Sequence, residues 1–173
     1  SCWISVDCVD FAIEEPFPYE KEWSKRWFSE KENGAGVRYE VGVCIANGFI
    51  VWTNGPFACG KHNDWDIFST KGLMANLDQY ERVEADRGYS AGDPEFVKSR
   101  GSVFHDPSQH KVRNDIMARH ETVNSRLKMF GILSKKYRHK IQDHQMVFDS
   151  VSMLLQLSFE NGAPPFQIER EYI

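Results

Sequence analysis

Apolar and polar residues alternate with a period of two over Trp3–Val9, which places Ile4 and Val6 on one face of a strand and Ser5 with Asp7 on the other. The alternation returns over Arg38–Ile45, Asn47-Gly48 is a two-residue hairpin signal, and Phe49–Thr53 reads as the returning strand. The period then changes. Behind Asp64, which is placed as an N-cap, Trp65, Ile67, Phe68, Leu73 and Leu77 recur at helical spacing. A short β-run, Arg82–Asp86, is stopped at once by Gly88. Farther on, Ile116, His120, Val123, Leu127 and Phe130 form an apolar seam and predict a helix from near Asp115 to near Gly131. A second helix is predicted over Gln142–Phe159, ended by Asn161-Gly162 with Pro164-Pro165 beyond.

The intervening stretches carry weaker signals. Residues 14–36 read as a loop with a short helix between Glu20 and Glu30. Ser90–His110 reads as a loop with one strand at Ser102–Phe104, and residues 163–173 as a peripheral tail. The order is strand, hairpin, helix, strand, loop, helix, helix. It predicts an α/β domain whose mixed sheet, an antiparallel hairpin plus a parallel strand, is flanked by helices.

Size and charge narrow the function classes. The 173 residues suit one domain, and 41% apolar with 13% aromatic residues supply an ordinary core. No run approaches the roughly 20 apolar residues of a membrane span, and Asp7, Asp10, Glu14 and Glu15 make the first residues too acidic for a signal peptide. Ser1 opens the chain within a strand, the expectation for a trimmed domain. Cys2, Cys8, Cys44 and Cys59 form no C-x-x-C pair and are expected as reduced thiols. The net charge of −4 conceals an asymmetry. Residues 1–110 hold 11 basic against 18 acidic side chains, residues 111–140 hold 9 against 2, and residues 141–173 hold 1 against 5.

Asp86 is expected at the carboxyl edge of the sheet, where open α/β folds keep their sites, and Asp7 lies on the first strand. Glu121 is on the flank of the long helix, on one face with Ser125 and Lys128. Packing that helix on the sheet would bring Glu121 over the edge where Asp7 and Asp86 end. Three converging carboxylates repel one another unless cations neutralise them, and hard oxygen ligands suit Mg²⁺ or Mn²⁺. Two such ions suit phosphodiester cleavage or transfer, and the basic block over Lys111–Lys140 would hold a phosphate backbone. Each acid taken alone reads more readily as a solvated surface group, and the basic block reads equally well as the solvated face of a helix.

The same residues carry a resemblance. Ser5–Phe11, Val83–Tyr89 and Arg119–Leu133 (RHETVNSRLKMFGIL) resemble the three acid-bearing blocks of the DDE superfamily endonucleases, and among them the Harbinger-like transposases. The third block is the most specific, with Glu121, Lys128 seven residues later and Phe130-Gly131-Ile132-Leu133 in the family's pattern. The resemblance implies an RNase H-like fold over residues 1–162, a catalytic core that cuts and joins DNA at transposon ends with two Mg²⁺ or Mn²⁺ ions, and a nuclear location. Asp7, Asp86 and Glu121 match its metal ligands, and Asp64 is an auxiliary candidate whose alternative is the N-cap role. Arg119, Arg126 and Lys128 are the implied DNA contacts. The family's upstream DNA-binding part is not in this sequence; a separate DNA-binding partner and a homo-oligomer are implied for an active form. Cys8-Val9 replaces the small pair common after the first acid, Asp10 competes with Asp7 as ligand, and Glu84 shares the strand face of Asp86. A domesticated, non-catalytic DNA- or protein-binding module is the alternative.

Overall fold

The computed structural model describes residues 2–17, 25–89, 96–99 and 107–168. The first strand runs longer than its alternation predicts: β1 spans Cys2–Ala12. It is central, antiparallel to β3 (Gly34–Cys44) from Ile4↔Cys44 to Ala12↔Gly36 and parallel to β5 (Arg82–Ala85) on its other side. β3 continues through the Asn47-Gly48 turn into β4 (Ile50–Ala58), as the turn signal predicts. A two-residue strand, β2 (Phe28–Ser29), also pairs with β3, and β6 (Val97–Ser99) adds in parallel to β5. The result is a mixed sheet with helices on both faces.

Because β1 alternates, its two faces meet different cores. Val6 lies under α1 (Asp64–Thr70) with Phe68, Leu73, Val83 and Tyr89. Val9 and Phe11 meet α2 (Pro107–Leu127) and α4 (Ile141–Glu160) through Val123, Leu127, Phe148 and Val151. The seam expected on α2 is buried at Ile116, His120, Val123 and Leu127. Along that seam the helix follows the strand turn by turn. His120 Nδ1 lies 2.8 Å from Ser5 Oγ, the Asn124 amide reaches Asp7, and the Lys128 ammonium lies 5.6 Å from the Phe11 ring centroid.

Several expectations need correction. α2 starts at Pro107, eight residues before the predicted Asp115, because Pro is favoured at the first helical position and the apolar stripe begins only farther along. It ends at Leu127; Gly131 opens a separate turn, α3 (Gly131–Ser134), instead of closing the long helix. The helix expected between Glu20 and Glu30 is present at residues 25–27 and gives way to β2 at Phe28–Ser29; residues 20–24 lie outside the described residues, as does the strand expected at Ser102–Phe104. The stretch after Gly162 is not peripheral over its described part. Pro165 is buried against the hairpin turn, where its ring occupies the space that a Cβ on Gly48 would need, and Ile168 packs with Ile45 and Ile116.

Candidate metal centre

Three carboxylates meet where the parallel pair β1 and β5 opens. β5 ends at Ala85 opposite Val6, so Asp7 and Asp86 are the next residues on adjoining strands, and Asp64 enters as the first residue of α1. One oxygen from each of Asp7, Asp64 and Asp86 lies within 4.8 Å of the others. This group can hold a metal ion. Its donors are all carboxylate oxygens, the set preferred by hard divalent cations.

Each carboxylate is gripped from outside the group. The Asn124 amide nitrogen donates to Asp7 Oδ2 at 3.1 Å, Arg38 Nη1 donates to Asp64 Oδ1 at 2.8 Å, and the Gly88 N–H donates to Asp86 Oδ1 at 2.7 Å. These three bonds use one oxygen of each acid. Gly88 also leaves needed room: a Cβ there would lie 2.9 Å from Asp86 Oδ1 and 3.1 Å from Asp64 Oδ2. Asp64 is not the N-cap. Asn63 takes that role, its side chain accepting the Asp66 N–H at 2.7 Å, which leaves the neighbouring carboxylate available to the centre.

Crowding like charges in a half-buried cleft changes their protonation. Burial pushes the Asp7 carboxyl up to about 7; the Lys31 charge opposes this, and the Asp86 and Asp64 charges add to it. Burial likewise raises Asp64 against the pull of Arg38 and Lys31. Lys31 donates to the Cys8 carbonyl at 3.2 Å; burial disfavours its charge, but Asp7, Asp64 and Asp10 outweigh burial and raise its pKa.

Asp10 is absent from the group. It is fully buried on the opposite strand face from Asp7, held by Arg38 through Nε to Oδ1 at 2.6 Å and Nη2 to Oδ2 at 2.9 Å, and by the Ser29 hydroxyl at 2.7 Å. Glu84 is also accounted for: it is buried and pairs with Arg113 Nε at 2.8 Å, docking α2 on β5.

Glu121 is where the centre departs from expectation. It is exposed on α2 and outside the three-acid group, while Asn124, one turn later, touches Asp7. The two positions differ by about 60° around the helix, enough to exchange which one meets the sheet. Asn124, Lys31, Arg38 and Gly88 were missed as site residues; the turn after Asp86 was the one local signal, and it pointed only to Gly88.

The expected DNA contacts divide. Arg119 requires correction: it is buried, and its Nη2 donates to the Cys44 and Ile45 carbonyls, tying α2 to the end of β3. Arg126 donates to the Ala163 carbonyl at 2.6 Å and lies over Phe159. Lys128 is part-exposed and paired with Glu32 at 2.7 Å. The exposed cations of the basic block are Lys111, Lys135, Lys136, Arg138 and Lys140, four of them in the loop between α3 and α4. Set against protein-family models, curated proteins and solved structures, the chain finds no significant match in any of the three.

Proposed function

We propose that this protein is the divalent-metal-dependent endonuclease and strand-transfer core of a Harbinger-like DDE transposase, with an RNase H-like fold. The observation that carries this reading is the convergence of Asp7, Asp64 and Asp86 at the open end of two parallel strands, each acid steadied by a donor from outside the group. The antiparallel hairpin beside two parallel strands is the sheet expected of an RNase H-like domain and supports the same reading. Bound to the three acids, Mg²⁺ or Mn²⁺ would make a water or 3′-hydroxyl nucleophilic near neutral pH and balance charge on the leaving oxygen. The chain itself orients the carboxylates through Asn124, Arg38 and the Gly88 N–H. The exposed cations around Lys135–Lys140 would contribute contacts to a phosphate backbone.

Glu121 favours a second reading, a domesticated module that binds DNA without cutting it. The resemblance requires this acid at the centre, and it stands outside the group. Nicking of supercoiled DNA in Mn²⁺ separates the two. Under the leading reading Asp86→Asn and Asp64→Asn each lower the rate by about 10³-fold or more, a loss of about 4 kcal/mol of transition-state stabilisation. DNA binding with no metal-dependent nicking would establish the second reading and remove the first.

A further inference from the structure

A groove unrelated to the acid centre runs between β4 and α4, with β3 separating it from β1. It encloses about 540 Å³, and its walls are four consecutive residues of β4, Ile50 to Thr53, and a stripe of α4 that includes Asp149, Ser152, Met153 and Gln156. We propose that this groove takes up an extended segment of a partner protein as an additional strand on β4, with basic and apolar side chains together on the face that it turns to α4.

Three observations specify that occupant. The first is the strand edge. Among the described residues β4 pairs only with β3, so its other edge offers backbone groups to a newcomer. The Ile50 N–H already donates to Gln156 Oε1 at 2.9 Å, a side-chain amide oxygen standing where the carbonyl of a neighbouring strand would. Four strand residues give about 13 Å of edge, and a strand added beside a helix is an established way of capturing extended peptides.

The second is the apolar wall. Met153 and Leu157 line the groove at 68% and 51% exposure, and Val51 faces out from β4 at 52%. Alternate side chains of an added strand would cover them.

The third is unanswered polarity. Ser152 is 6% exposed, yet its buried Oγ has no hydrogen-bond partner. Asp149 is half-buried in the groove and makes no ion pair among the described residues, and burial raises its pKa. α4 carries Asp143, Asp149 and Glu160 with no Lys or Arg. A Lys or Arg at one of the alternate positions that turn toward α4 would answer this charge, the other facing positions being apolar. A second copy of the chain would instead bring the same acidic helix against itself, which like charges oppose.

The test is selection of displayed, unstructured 12-residue peptides on the whole chain, followed by amide-shift mapping with the enriched peptides made synthetically. Enriched sequences should carry a basic residue two or four positions from apolar ones, and the shifts should be confined to Ile50–Thr53 and the Asp149–Leu157 face of α4. Asp149→Lys should weaken their binding by about tenfold or more, and Met153→Ser, which removes apolar surface and leaves the charge unchanged, should weaken it as well. The proposal is overturned if no peptide is enriched, if the shifts map elsewhere, or if the free chain is a dimer that Val51→Lys dissociates.

Discussion

The Asn124 amide donates to Asp7 at 3.1 Å, so α2 meets the first carboxylate with a neutral donor, while Glu121, one turn earlier, remains exposed. A donor fixed to a ligating oxygen sets the direction of the other oxygen, and loss of such a partner costs about 10- to 100-fold in metal affinity. Asn124→Ala should therefore weaken Mn²⁺ binding, read by titration calorimetry, by that factor. Glu121→Gln should leave it within about twofold if the three aspartates alone hold the ion, a smaller change than any partner loss of this kind.

Gly88 is required by the space between two acids. A methyl group there would lie 2.9 Å from Asp86 Oδ1 and 3.1 Å from Asp64 Oδ2 and would push the pair apart. Gly88→Ala should lower metal affinity by about tenfold or more while changing the unfolding free energy by less than about 1 kcal/mol, since no core contact is lost. Equal losses of both quantities would show that the glycine serves the fold instead.

The sequence revealed elements that bury an apolar stripe and missed interactions that depend on charge. β1, the β3–β4 hairpin and α4 follow directly from alternation, from Asn47-Gly48, and from the stripe ended by Asn161-Gly162. The first turns of α2 were missed because periodicity has nothing to report before Val112 and Ile116 turn inward. Asp7 and Asp86 were legible as strand ends. The Asp64 role was ambiguous because Asn63 and Asp64 are both good caps, and only the fold shows which one bonds Asp66. Asp10 and Arg119 look like ordinary surface charges in sequence; their burial depends on partners 28 and 75 residues away.

Between about pH 4 and 7 the buried histidines and the buried carboxyls pull metal-free stability in opposite directions. His120 and His144 are buried, and burial lowers their pKa values from 6.5 to about 3 and about 4. Below pH 6.5 the unfolded chain binds protons that the folded chain refuses, so stability falls as pH drops. Burial raises Asp7 from 3.8 to about 7, so between those values the folded chain holds a proton that the unfolded chain has released, and this contribution, full below pH 3.8, falls as pH rises and is gone by about pH 7. Glu40 and Asp64 are raised in the same direction. In thermal melts from pH 5 to 8, Asp7→Asn should make stability rise more steeply between pH 5 and 7, and Mn²⁺ should raise the melting temperature more at pH 8 than at pH 5.5.

Arg38 joins the core to the centre, bonding Asp10 with two nitrogens and Asp64 with one. Arg38→Met strands a fully buried carboxylate and should destabilise the fold by about 3–5 kcal/mol in urea unfolding. Adding Asp10→Asn removes that stranded charge and should recover part of the loss. Metal affinity should stay reduced in the double variant, because Asp64 still lacks its donor.

The placement of β1 sets a timetable for biosynthesis. Its two neighbours lie at residues 34–44 and 82–85, and the helix that steadies Asp7 comes later still. As the chain leaves the ribosome, Asp7 can enter the hairpin sheet early, but Asp86 follows 79 residues later (86 − 7), about 4 to 16 seconds at ordinary elongation rates. Until then there is no triad of carboxylates to capture a cation. Whatever chemistry the centre performs therefore waits for β1, α1 and the end of β5 to come together.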